Sequence, residues 1–265
     1  MQRLTNKVAL VTGGNSGIGR AAAHAFAREG AKVVLAARGV DRGHAVVREI
    51  KEKGGEAIFV QTDVSKANQV ESLIHKTVER YGRLDCALNN AAAYAGAFSA
   101  TADFSEEEFD LTIAVDLKGV WLCMKYEIKQ MLSQTPSTGV IVNTSSVNGL
   151  GGAPLGAIYS AAKSGVLALT KSAAQEYGRQ GIRVNALVAG AFQAPMLEWS
   201  IEHAAGGDPA EIKKIEEKYA AMISLGRIGR PEEAAEVAVW LCSDAASYVT
   251  GHSMIADGGL TAPFR

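Results

Sequence analysis

Residues 8–19 read Val8-Ala9-Leu10-Val11-Thr12-Gly13-Gly14-Asn15-Ser16-Gly17-Ile18-Gly19. The apolar run Val8 to Val11 has the length of a short buried strand, and the glycines behind it end that strand in a turn. Beyond them Ile18, Ala22, Ala25 and Phe26 share one helical face. A turn that runs from strand into helix and receives a pyrophosphate needs residues without Cβ, so that backbone N–H groups and the positive helix end can reach the phosphate oxygens. Gly13, Gly17 and Gly19, with Asn15, Ser16 and Ile18 among them, are the candidate cradle. Their G-x-x-x-G-x-G spacing is not the G-x-G-x-x-G fingerprint. An ordinary glycine turn is therefore the competing reading, and the position after the first strand argues against it.

Outward from this segment the same rhythm repeats. Val33–Leu35, Ile58–Val60, Leu84–Leu88, Val140–Val142, Val184–Val188 and Met254–Ala256 are further strand candidates, about seven in all. Helical stretches separate them, such as the one carrying Val70, Leu73, Ile74 and Val78. Ser105 followed by Glu108 has the form of a capping box, which predicts a long helix from there towards Met131. Strand–helix alternation requires crossover connections, hence a doubly wound α/β fold with a parallel sheet and ligands beyond the carboxyl ends of the strands. No Pro/Ser-rich linker divides the chain, so residues 1–265 are expected to form a single domain. Its one irregular segment, residues 189–230, precedes the helix start Pro231-Glu232-Glu233 and has the length of a substrate lid.

Composition narrows the partners. Of 265 residues 28 are glycine, well above the usual share of about 7%. Twenty-seven basic against 28 acidic residues leave a net charge of −1, too little positive field to collect nucleic acid. Cys86, Cys123 and Cys242 are far apart and odd in number, which reads as reduced packing cysteines without a metal site and fits a cytoplasmic protein. No apolar stretch has the length of a membrane span or a signal h-region.

The second strand ends at Ala36-Ala37-Arg38. A carboxylate there would bind an adenosine ribose 2′-hydroxyl, and an arginine would pair with a 2′-phosphate. The acid is missing and Arg38 is present, so NADP(H) is the expected cofactor, with NAD(H) as the alternative.

Tyr159 and Lys163 stand four residues apart in a helical stretch, which puts the ammonium near the phenol. With 7 Tyr and 14 Lys a Tyr-x-x-x-Lys arises by chance about 0.4 times in such a chain, so context must carry the weight. Context is supplied by Ser146, just past the fifth strand, and by Gly149, Gly151, Gly152 and Gly156, which would let the chain fold back between Ser146 and Tyr159.

With these residues in view the sequence resembles the short-chain dehydrogenase/reductase family. The resemblance rests on Thr12-Gly13-x-x-x-Gly17-Ile18-Gly19, Asp63-Val64, Asn89-Asn90-Ala91, Ser146, Tyr159-x-x-x-Lys163 and Asp257-Gly258-Gly259, and it covers essentially the whole chain. It implies a Rossmann-type domain moving hydride between nicotinamide and a carbonyl or secondary alcohol, and a homotetramer. Tyr159 would be the general acid or base, its phenol drawn from an ordinary pKa near 10 towards the anion by Lys163. Ser146 would hydrogen-bond the substrate oxygen and Lys163 would also hold the nicotinamide ribose. Asp63 and Val64 would contact adenine, Asn90 and Ala91 the cofactor, with Gly190 and Phe192 on its nicotinamide side.

Several positions depart from the family's pattern. Its usual N-A-G is Asn90-Ala91-Ala92, its P-G is Ala189-Gly190, and a threonine that often binds the carboxamide is Ala194. The asparagine of its catalytic tetrad aligns with Asp116, which would add a negative charge near Lys163. Tyr94, Leu150, Leu155, Phe192, Met196, Leu197 and Trp199 are the candidate substrate pocket, an apolar set that suits an aliphatic or aromatic ketone; packing of the lid is the competing reading for them. A 3-oxoacyl carrier-protein reductase is the nearest alternative. Residues 130–139 carry no Lys or Arg to dock an acidic carrier, and Gln175 stands where those reductases commonly have arginine. An NAD-dependent alcohol or sugar dehydrogenase is a second alternative, and a non-catalytic nucleotide-binding regulator a third. A serine hydrolase built on Ser146 lacks its G-x-S-x-G elbow.

Overall fold

A computed structural model describes residues 2–93 and 95–262. Its centre is one parallel sheet of seven strands: β1 (Val8–Thr12), β2 (Lys32–Ala37), β3 (Glu56–Gln61), β4 (Cys86–Asn89), β5 (Gly139–Ser146), β6 (Ile182–Ala189) and β7 (Ser253–Ala256). They lie in the order β3-β2-β1-β4-β5-β6-β7, so the chain reverses its winding between β1 and β4. All seven predicted strands are present. Strands covered on both faces read as unbroken apolar runs, and every residue of β1 is buried.

Helices α1 (Gly17–Arg28), α2 (Val40–Glu52) and α9 (Pro231–Cys242) cover one face, where Phe26, Val46, Ile50 and Val239 meet Val33 and Leu35. The other face carries α3 (Ala67–Tyr81), α5 (Val120–Ser133) and α6 (Ala157–Tyr177), packed through Leu73, Met124, Ile128 and Val166. No helix among the described residues is long and apolar enough to cross a membrane.

The helix predicted from Ser105 starts as expected. The Ser105 hydroxyl accepts the Glu108 N–H at 3.1 Å, and Glu108 Oε2 accepts the Ser105 N–H at 2.9 Å. It does not continue unbroken. After α4 (Glu106–Thr112) come seven π-helical residues, Ile113–Gly119, before α5. Residues 190–230 hold α7 (Pro195–Ala204) and α8 (Pro209–Met222), joined through Gly206 and Gly207, both with positive φ.

Candidate active site

The carboxyl ends of the strands open into a cavity of about 720 Å³. At its base Gly13 has φ +66°, and a Cβ there would come within 2.9 Å of Ala91 Cα. A Cβ on Gly19 would meet the Asn90 amide at 2.7 Å. These two glycines let the loop after β4 close against the loop after β1, and the Thr12 hydroxyl joins them by accepting the N–H groups of Asn90 and Ala91 at 3.0 and 3.2 Å. Gly17, φ +49°, lies against Ala194, the residue before α7. No side chain caps the first turn of α1 and no acid stands in it, which leaves its N–H groups and positive end directed to an anion. Asn15, Ser16, Gly17 and Ile18 line the cavity beside them. The uncapped helix and the Cβ-free cradle fit a dinucleotide's pyrophosphate.

Beside the end of β2 Arg38 lines the cavity together with Asp63 and Val64. Arg42, on the first turn of α2, lines it too and was not singled out from the sequence. The available signal was a second arginine in the first turn of the helix that follows the strand end at Arg38. Neither guanidinium forms an ion pair with a carboxylate among the described residues. The Asp63 carboxylate accepts the Ser65 N–H at 3.0 Å and its hydroxyl at 2.7 Å, which turns the acid into the loop before α3.

Ser146 and Tyr159 face the same cavity. Ser146 ends β5, where its Oγ accepts the Asn148 N–H at 3.2 Å. One turn along α6 the Lys163 ammonium lies 5.5 Å from the Tyr159 ring centre, 3.3 Å from the Thr144 carbonyl and 3.1 Å from Asp116 Oδ1. The remaining Asp116 oxygen accepts the Ala93 N–H at 3.2 Å. Lys163 and Asp116 are 2% and 0% exposed, so this is a buried ion pair formed through the π-helical segment. The negative charge expected near Lys163 is present as this ion pair. Burial, joined by the Asp116 charge, outweighs the pull of Lys163 and Ser146 and holds the Tyr159 phenol above its ordinary value, the reverse of the direction expected from Lys163 alone. Burial opposes the charge on Lys163, but Asp116 and the phenol outweigh it and hold the ammonium above its ordinary value.

Gly190 lines the cavity, yet its missing Cβ is required elsewhere: one would strike Asp257 Cα at 2.6 Å. Gly149 likewise backs onto the Lys163 carbonyl, within 2.8 Å of a would-be Cβ, whereas Gly151 and Gly152 face open space. Phe192 is buried in the cavity wall and its ring covers Gly229. Met196, Leu197 and Trp199 complete that side.

Leu150 and Leu155 do not line the cavity. They are 43% and 56% exposed on the loop between β5 and α6. Tyr94 lies outside the described residues. Among the described residues, the wall expected of Leu150 and Leu155 is made instead by Ala95, Ala97 and Phe98 from the loop after β4. Phe98, at φ +77°, meets Trp199 edge to face at 5.4 Å, and Trp199 stacks on His203 at 5.2 Å.

A family model described as enoyl-(acyl carrier protein) reductase matches residues 13–261. The 2,5-dichloro-2,5-cyclohexadiene-1,4-diol dehydrogenase of Sphingobium indicum is 41% identical over 263 residues, 99% of this chain and 100% of that one. The A-factor type gamma-butyrolactone 1′-reductase of Streptomyces virginiae is 39% identical over 97% of this chain and 96% of its own. A crystal structure of levodione reductase superposes with a TM-score of 0.93 at 38% identity, covering 99% of this chain and 100% of that one. The chain belongs to the short-chain dehydrogenase/reductase family. It is an oxidoreductase of CH–OH and C=O groups in small molecules, dependent on a nicotinamide dinucleotide.

Proposed function

We propose that the enzyme interconverts an uncharged, largely apolar ketone and its secondary alcohol, preferring NADP(H) to NAD(H). The convergence of Tyr159, Ser146 and Lys163 on one cavity wall carries the reaction type. Arg38 and Arg42, with Ala37 in place of an acid, support the 2′-phosphate preference. The far end of the cavity, from Ala95 to Phe98 and from Phe192 to Ser200, contributes no charged side chain to the lining among the described residues. A carboxylate or phosphate on the substrate would find no partner there. The relatives named for a cyclohexadiene diol and for a gamma-butyrolactone support a substrate whose alcohol or ketone is borne on or beside a ring. The lack of Lys and Arg over residues 130–139 argues against an acidic carrier protein, despite the wording of the matched family model.

The cofactor's phosphates would rest on Gly13, Gly17 and Gly19, its adenine near Asp63 and Val64, and its nicotinamide side near Asn90, Ala91, Gly190, Phe192 and Lys163. When bound, the nicotinamide supplies or takes up the hydride. In reduction Ser146 donates a hydrogen bond to the substrate oxygen, where negative charge develops. Tyr159 gives that oxygen its phenolic proton, and the Lys163 ammonium steadies the phenolate left behind. Oxidation runs the same transfer backward, with the phenolate as base. The segment 190–230 acts as the lid over the substrate, excluding water while the proton moves.

The test is consumption of NADPH and NADH over a panel of ketones, aldehydes and a 3-oxoacyl thioester, with Tyr159→Phe alongside. Loss of roughly a hundredfold or more in the variant is expected from a missing acid–base group. Unchanged turnover would defeat the mechanism, and faster turnover with NADH would defeat the arginine argument while leaving the reaction class intact.

A further inference from the structure

One buried acid takes no part in this chemistry. Glu127 is 0% exposed on α5, where the helix presents Val120, Met124 and Met131 to the sheet. Its Oε2 accepts the Asn89 Nδ2–H at 2.9 Å. The same Asn89 amide reaches Asn143 Oδ1 at 3.0 Å, and Asn143 Nδ2 donates to Thr170 Oγ1 at 3.0 Å. Asn89 and Asn143 are register partners on β4 and β5, and Thr170 is on α6. Four elements are thus tied together by side-chain amides in a buried layer beneath the site.

This layer adjoins both halves of the catalytic apparatus. Asn89 directly precedes Asn90 and Ala91, which press on Gly13 and Gly19. Asn143 directly precedes Thr144, whose carbonyl holds the Lys163 ammonium and whose hydroxyl reaches Asn90 Oδ1 at 3.4 Å. Two atoms of the cluster, Glu127 Oε1 and Asn89 Oδ1, lack a partner, and both are acceptors. The cluster is short of a donor. A protonated carboxyl supplies one, and an ionised carboxylate supplies none.

We propose that Glu127 is a positioning residue which works as an uncharged acid, holding Asn89 and through it the strand ends that carry the cofactor loop and the lysine's carbonyl. It rests only on the family's nicotinamide-dependent activity. Burial, opposed by the Asn89 amide, displaces the carboxyl from 4.5 up to about 8. Among the described residues no cation offsets it. Asn89, Asn143 and Thr170 are what β4, β5 and α6 bring to the cluster. Lys163 is engaged by Asp116 and Thr144, Asp85 by Arg83 and the Val8 N–H, and the titratable neighbour on α5 is the buried Cys123 thiol.

The experiment compares the wild type with Glu127→Gln and Glu127→Ala, using both NADPH and NADH so that an error in nucleotide preference leaves it intact. Gln keeps the acceptor, brings N–H donors and cannot ionise. At about pH 7 its kcat and cofactor KM should stay within about twofold of wild type, while Ala raises the cofactor KM on the order of tenfold with kcat changed less. As pH rises past about 8 the wild-type cofactor KM should climb and that of Gln stay flat. Thermal unfolding gives a readout independent of turnover. A carboxyl raised in the folded state gives stability that is full below its unfolded pKa and is lost as pH climbs to the folded one. The wild-type Tm should therefore fall between about pH 4.5 and 8 relative to that of Gln. If Gln is as impaired as Ala, or if wild type and Gln share their pH profiles, the proposal is wrong.

Discussion

Replacing Asp116 by Asn removes one buried charge from the row Asp116–Lys163–Tyr159 while keeping the side chain's shape. The distances of 3.1 Å from Asp116 Oδ1 to Lys163 Nζ and 5.5 Å from Nζ to the Tyr159 ring place the carboxylate no more than about 8.6 Å from the ring centre. At an effective dielectric near 20, a charge at 8.6 Å repels the phenolate by roughly 2 kcal/mol and one at 5.5 Å attracts it by roughly 3 kcal/mol. Because about 8.6 Å is the longest separation possible, Asp116 cancels at least about two-thirds of what Lys163 offers, and its removal should lower the phenol's pKa. The base form of Tyr159 then appears at lower pH. The pH profile of kcat/KM for alcohol oxidation, followed by nicotinamide absorbance, should shift its rising limb downward. The maximal rate should change modestly. The protein should lose stability on the order of 3 kcal/mol, because a buried ammonium is left without its counter-ion. A limb that moves upward or stays in place, or a thousandfold loss of rate, would refute the electrostatic argument.

Two further variants probe the walls of the cavity. Gly13→Ala forces a Cβ onto a residue at φ +66° and to within 2.9 Å of Ala91 Cα, so cofactor affinity, measured by fluorescence titration, should fall at least about tenfold. Trp199→Ala removes an edge-to-face contact with Phe98 and a stacked one with His203, together worth about 1–3 kcal/mol. Its substrate KM should rise about tenfold with the cofactor KM unchanged, and a change confined to the cofactor would place the wall elsewhere.

The parts of the molecule most open to reading were those in which backbone geometry leaves residue types little choice. Strands buried on both faces must be apolar, so β1 and β2 stand out as short Val, Leu and Ala runs. A loop that must pass within a Cβ's reach of another must use Gly, hence Gly13 and Gly19. What escaped were registers and side-chain directions. The Ser105–Glu108 box marks where a helix begins and carries no information about a change of winding eight residues later at Ile113. Leu150 and Leu155 are apolar and close in sequence to Ser146, but proximity along a loop does not set the way a side chain faces. Arg42 lay hidden because it stands in the first turn of α2, beyond the strand end marked by Arg38, and nothing in the sequence sets the path of the chain through Gly39. Glu127 did leave a trace, since it interrupts the apolar stripe of Val120, Met124 and Met131. A charged residue on such a stripe is either paired or neutral.

The π-helical segment has a consequence for which changes this chain can tolerate. Each residue added to or removed from a helix turns everything beyond it by about 100°. Asp116 sits between α4, anchored by its capping box, and α5, anchored by its apolar face against α3 and the sheet. A one-residue insertion or deletion within Ile113–Gly119 would have to rotate one of these anchors or swing the carboxylate away from Lys163. Point substitutions on the outer side of this segment should therefore be accepted freely, while its length of seven residues behaves as a fixed quantity in any library or graft built on this scaffold.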